Sequence, residues 1–183
     1  MRAAQKAGWI LLLGLVASAS AEAAGYEVNG VRLGMTQEQV QALFGDKIEC
    51  AARKPTDTDP SQVSCVSTAF AKNKVLTDTF AGQKTVIWYN LLDGQVARIT
   101  FLGFPSLAFD DMVRSMESKY GKANVVSDDV RVSVRAELVS KHATWTGEGG
   151  ELIYFQKYSP GNLDRSYLNF YGASFPKAMR PEP

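Results

Sequence analysis

The chain of 183 residues holds a single histidine, His142, and only two cysteines, Cys50 and Cys65. A zinc centre of the usual His/Cys type needs more ligands than one histidine and two bridged cysteines can give. A serine nucleophile has only His142 for its base, placed between Lys141 and Ala143 beside a predicted strand. No serine stands in a Gly-x-Ser-x-Gly turn. Calcium loops of the Asp-x-Asp-x-Asp-Gly kind are missing, and Gly147-Glu148-Gly149-Gly150 lacks the Lys-Ser/Thr ending of a phosphate loop. These shortages leave no catalytic, metal or cofactor residue to name, and a non-enzyme is the expectation.

An excess of charge is also lacking. Twenty basic residues face nineteen acidic ones, a formal net charge of +1. A balanced chain has no bulk field to draw in nucleic acid or an anionic membrane. The longest apolar run, Trp9–Val16 and its flanks, is about ten residues against the ~20 a spanning helix needs. Arg2 and Lys6 precede that run, and Ala17-Ser18-Ala19 through Ala21-Glu22-Ala23 supplies small residues for cleavage. Residues 1–24 therefore read as a secretory signal peptide and imply a periplasmic or secreted protein with no transmembrane segment once cleaved. No cysteine lies near the cleavage region, so no lipid anchor is expected. About 160 residues would remain, enough for one domain with its own core.

In an exported chain, two cysteines favour one structural disulfide, Cys50–Cys65, closing a polar loop that contains Pro55 and Pro60. A redox pair is the alternative, but its spacing is normally Cys-x-x-Cys at a helix start.

The most legible stretch is 31–45. Thr36 and Gln39 have the spacing of a capping box, Met35 and Val40 that of a hydrophobic staple, and Gly45 supplies a stop. Val40, Leu43 and Phe44 form the apolar stripe of the helix between them. The run Leu33-Gly34-Met35-Thr36-x-x-Gln39-Val40-x-x-Leu43-Phe44-Gly45 resembles the opening motif of small bacterial envelope domains of the SmpA/OmlA (BamE) type. It is similar as well to the repeats of the β-lactamase-inhibitor-protein fold. That resemblance implies a protein-binding or assembly role in the envelope, on a fold where a short helix packs on an antiparallel sheet. It carries over no active-site residues.

Further along, residues 48–50 and 63–70 are candidate strands, and 71–83 reads as a connection. Asp93-Gly94 separates two β-rich runs, 85–92 and 95–102, and marks a two-residue hairpin. Alternation puts Ile87, Tyr89 and Leu91 with Ala97, Ile99 and Phe101 toward a helix, and Trp88, Asn90, Arg98 and Thr100 away from it. Pro105-Ser106 opens a second helix whose Phe109, Met112, Val113, Met116 and Tyr120 form one face. Asp110 and Asp111 complement its dipole, and Gly121 ends it. Val130, Val132 and Val134 alternate as in a half-exposed strand, and the turns at 147–150 and 159–162 then space a three-stranded meander. Leu168 and Phe170 should face inward, with Tyr167, Asn169 and Tyr171 outward.

The expected fold is α+β: two helix-plus-antiparallel-sheet units, about 25–103 and 104–175, with both helices on one sheet face and a flexible tail at 176–183. On the other face Trp88, Arg98, Tyr167 and Tyr171 are candidate partner-binding residues, of the types enriched where interfaces concentrate their energy. The expected function is non-catalytic binding of a protein partner in the bacterial envelope, as an inhibitor or in assembly. The alternatives are a small periplasmic hydrolase using paired carboxylates and a small-ligand carrier with an enclosed apolar pocket.

Overall fold

The computed structural model describes residues 25–182 apart from 75, 77, 134 and 135, and describes no side chain between 128 and 137. The signal-peptide expectation for 1–24, the strand position of Val134 and that of Pro183 in the tail lie outside the described residues, as do the side-chain positions of Val130 and Val132.

Two short strands, β1 (Glu27–Val28) and β2 (Val31–Arg32), lead into helix α1 (Gln37–Phe44). The capping box forms as its spacing predicts: the Thr36 amide donates to Gln39 Oε1 at 2.8 Å, and the Gln39 amide to Thr36 Oγ1 at 3.3 Å. The entry to α1 is stitched to the sheet, since the Gly34 amide donates to Val96 O and the Val96 amide to Met35 O, both at 2.8 Å. Val40 is fully buried, but Leu43 is half exposed and lies over Gly30 instead of joining the core stripe.

The next elements are β3 (Ile48–Ala52), β4 (Val63–Ser67), helix α2 (Thr68–Asn73), β5 (Asp78–Phe80), β6 (Gln83–Leu92) and β7 (Gln95–Leu102). Helix α2 corrects the strand expected through residue 70, and β5 falls inside the expected connection. Asp93 and Gly94 take φ of 51° and 79°, the left-handed pair a two-residue turn between twisted strands requires. Helix α3 (Phe109–Tyr120) buries Phe109, Met112, Val113 and Met116 along the predicted face. After it come β8 (Asn124–Ser133), β9 (Ala136–Thr146), β10 (Leu152–Gln156) and β11 (Tyr167–Tyr171).

The fold is α+β. β1 and β2 pair with each other, and the other nine strands form one antiparallel sheet in the order β3-β4-β6-β7-β11-β10-β9-β8, with β5 paired to the first residues of β6. The seam is β7 against β11, where Phe101 opposes Leu168 and Ile99 opposes Phe170. One face carries α1 and α3. Val40 from the first helix and Phe109, Met112 and Met116 from the second join Ile87, Ile99, Phe101, Phe155 and Phe170 in a single core. Phe109 stacks on Phe155 with ring centroids 4.6 Å apart.

The opposite, far face has a smaller apolar cluster of Ala97, Leu152, Tyr154, Tyr171 and Phe175. Ala97 is a correction, because alternation placed it with Ile99 under the helices. The β6–β7 register shifts after Asn90: Asn90 pairs with Arg98 but Leu91 with Val96, so β7 holds one extra residue. A bulge of this kind puts two successive side chains, Ala97 and Arg98, on the same face.

Phe175, at the end of the expected domain, and Arg180, within the tail expected at 176–183, lie against this face. Phe175 is 1 % exposed, and the Arg180 guanidinium donates to the carbonyls of Gly150, Gly172, Ala173 and Phe175 at 2.6–3.0 Å. Carbonyls that the sheet leaves over, most of them part-buried, are satisfied by one planar fork of donors.

Candidate functional site

The far face of β4, β6, β7 and β11 carries a row of polar side chains where apolar ones would ordinarily pack. The row runs Ser64, Asn90, Thr100, Asn169, one residue from each strand. Ser64 Oγ donates to Asn90 Oδ1 at 2.8 Å, Asn90 Nδ2 donates to Thr100 Oγ1 at 3.2 Å, and Thr100 Oγ1 donates to Asn169 Oδ1 at 2.7 Å. Each hydroxyl or amide passes a bond to the next, and such a chain holds its members in single rotamers.

The loop between β3 and β4 folds over one end of the row. The disulfide Cys50–Cys65 ties its base, between residues directly opposed in the β3–β4 register. From this loop Arg53 Nη1 donates to Ser64 Oγ and Asn90 Oδ1, each at 3.1 Å. Asp59 Oδ2 accepts from Arg98 Nη2 at 2.6 Å and lies 3.1 Å from Arg53 Nη1. Burial works against ionisation of Asp59, but hydrogen bonding from Ser61 and the charge of Arg98 outweigh it, so the carboxyl is held below the usual carboxylate range. The Arg98 guanidinium also lies over the Phe175 ring, 5.3 Å from its centroid. Arg98 is thus fixed from the loop, the strand and the tail at once.

A cleft of about 250 Å³ opens between loop and sheet, lined by Arg53, Asp59, Trp88, Asn90, Arg98, Thr100 and Leu102. Trp88 is half-buried and meets Phe70 of α2 edge to face, with centroids 6.1 Å apart. Its indole nitrogen, Arg98 Nε and Asn169 Nδ2 are buried with no hydrogen-bond partner among the described residues.

Two other clefts carry less. One, about 380 Å³, lies at the β2–α1 entry between Arg32, Met35, Gln39 and Glu151. The other, about 210 Å³, sits beside α1 between Phe44, Ile48, Asp78, Ile87 and Tyr89, where burial pushes the Asp78 carboxyl up. Each of the three clefts is lined by one carboxylate, Glu151, Asp78 or Asp59.

The four partner-binding candidates all stand on the far face, but they do not form an open patch. Trp88 and Arg98 line the cleft; Tyr167 and Tyr171 belong to the apolar cluster beside it. Arg98 is 9 % exposed and Tyr171 3 %, because the loop and the tail cover them. As members of an exposed surface these two are corrected, and the accessible part of the face falls to Trp88, Arg53 and the 40 %-exposed Leu102. His142 stacks on Tyr154, with ring centroids 5.5 Å apart.

Alternation along β6 and β7 already placed Asn90 and Thr100 beside Trp88 and Arg98. Arg53 and Asp59 escaped it, since an irregular loop has no period. The ion pair of Arg98 with Asp59 spans 39 residues of sequence, and nothing local announces it. Comparisons with protein-family models, curated proteins and solved structures find no match for this chain.

Proposed function

We propose that this chain is an exported, non-catalytic binding protein of the bacterial envelope, acting on a protein partner through the far face of its sheet. The observation that carries this reading is the cleft of Trp88, Arg53, Arg98 and Leu102, in which Arg53 is bonded to the polar row through Ser64 and Asn90 and Arg98 is held by Asp59. Aromatic and arginine side chains that are already immobilised lose little entropy on binding. The disulfide is of the kind that persists in an oxidising compartment, in keeping with export. The SmpA/OmlA-like or β-lactamase-inhibitor-like resemblance of 33–45 favours the same role.

We also read the domain as two helix-then-sheet units. Each half supplies a run of neighbouring strands, β3-β4-β6-β7 and β11-β10-β9-β8, and the halves meet through their last strands in antiparallel register. In that arrangement the helices back one face, and the other is left for a partner.

Affinity capture from a periplasmic extract, with residues 25–183 as bait, tests the proposal when run with face-specific variants. Trp88→Ala and Leu102→Glu should each abolish recovery of the partner. Leu107→Glu, at a 93 %-exposed position on the turn ahead of α3, should leave it unchanged. Loss with Leu107→Glu and retention with the other two would place binding elsewhere and sink the proposal.

A further inference from the structure

The cleft on the far face has a surplus of hydrogen-bond donors. Asn90 Oδ1 already accepts from Ser64 and Arg53, and Asn169 Oδ1 from Thr100. The buried side-chain polar atoms left without a partner among the described residues are Ser61 Oγ and three donor nitrogens, Trp88 Nε1, Arg98 Nε and Asn169 Nδ2. A buried donor without a partner costs about 1–3 kcal/mol, and two of the three belong to residues that line the cleft, Trp88 and Arg98. The charges point the same way. Arg53 and Arg98 outnumber Asp59 by one, which matches a single negative charge.

From these features we infer that the cleft binds a monoanionic carboxylate borne on a short apolar group. Asp59 Oδ2 bridges both guanidiniums and so takes, in the free protein, the place such a carboxylate would compete for. Planar guanidinium forks match carboxylate geometry. Trp88 and Leu102 supply the apolar wall on which the rest of the ligand lies. At ~30 Å³ per water-sized group a cleft of about 250 Å³ has room for about eight, enough for a short acid or the terminal residue of a peptide, whose preceding residues would lie outside it. Trp88 Nε1 and Arg98 Nε have less than 1 Å² of accessible surface each. Both are covered in the free protein, and the loop beside Arg98 is exposed over residues 51–58 while tied to the sheet through Arg53 and Asp59. Two sources share this chemistry: the terminal carboxylate of a peptide chain and a free short-chain acid.

The inference rests on the far face being the binding face, and the test separates the two. Hexanoate, acetyl-Leu-Ala with a free carboxylate and the same dipeptide as its amide are titrated into the 15N-labelled chain of residues 25–183. The Trp88 indole N–H and the Arg98 Nε–H signals are followed. The free-acid dipeptide should shift both saturably, and the amide should bind at least tenfold more weakly. A response to hexanoate as well identifies a free acid as sufficient; a response to the dipeptide acid alone identifies a chain terminus. Asp59→Asn should tighten the acid about tenfold by freeing the arginines, and Arg53→Gln, whose side chain is 36 % exposed, should weaken it by a similar factor. Equal binding of acid and amide at Trp88 overturns the carboxylate while the face stands. Shifts confined to residues around α1 and α3 overturn the face, and no saturable shift with either acid overturns the inference outright.

Discussion

Arg98 Nη2 lies 2.6 Å from Asp59 Oδ2 across 39 residues of chain, latching the disulfide-closed loop to the centre of the sheet. Both side chains are largely covered, at 10 % and 15 % exposure, so the pair is not a screened surface contact.

Asp59→Asn should destabilise the fold at neutral pH by about 2 kcal/mol, since it leaves the buried Arg98 facing a neutral amide. The sign with pH follows from the lowered carboxyl. Its contribution is fully present above the unfolded value of about 4 and is lost as pH falls through the folded value. Urea midpoints of the two proteins should therefore differ at pH 7 and converge toward pH 2. A gap that stays constant over that range would show that the Asp59 charge contributes nothing.

The disulfide sets a second expectation. Its sequence separation of 15 corresponds to about 3 kcal/mol on the chain-entropy view. The double variant Cys50→Ala, Cys65→Ala should lose stability of that order. The loss should appear first in hydrogen exchange at 53–62 and spare the β6–β7 hairpin. Uniform acceleration across the sheet would mean that the bridge supports the whole fold and not the loop alone.

Local chemistry made part of this structure legible in advance. The Thr36–Gln39 box, the Asp93-Gly94 turn and the Phe109-to-Met116 stripe are written within spans of a few residues, and each forms as its spacing dictates. The bulge at Ala97 breaks the two-residue period that assigned its face, because register depends on the partner strand. The polar row was legible only by halves. Asn90 and Thr100 share a predicted face, but Thr100 reaches Asn169 across 69 residues, at a seam no local pattern encodes. Arg98 and Tyr171 were assigned the correct side of the sheet, but alternation has no information about loops and tails that cover a face.

The hairpin offers a test of backbone chemistry apart from packing. Gly94 has φ of 79°, and an added Cβ would meet nothing within 4 Å. Gly94→Ala should still cost about 1 kcal/mol through backbone strain alone. Replacement by Asn, which tolerates the left-handed region, should recover most of it. Thermal midpoints of the two variants measure the difference, and an equal loss for both would assign the cost to something other than φ.

The tail gives the last expectation. Phe175 is 1 % exposed, packs against Tyr171 with centroids 5.1 Å apart and lies under the Arg98 guanidinium. Phe175→Ala should cost about 3 kcal/mol, the usual range for a buried phenylalanine. Arg180→Gln removes the fork that serves the carbonyls of Gly150 and Gly172 and should cost about 1–2 kcal/mol. Because both changes free the segment covering Arg98 and Tyr171, each should also speed hydrogen exchange at residues 97–98 and 171–172 more than at β8 or β9. Retained stability in both variants, with protection unchanged at those residues, would mean that the tail merely rests on the sheet.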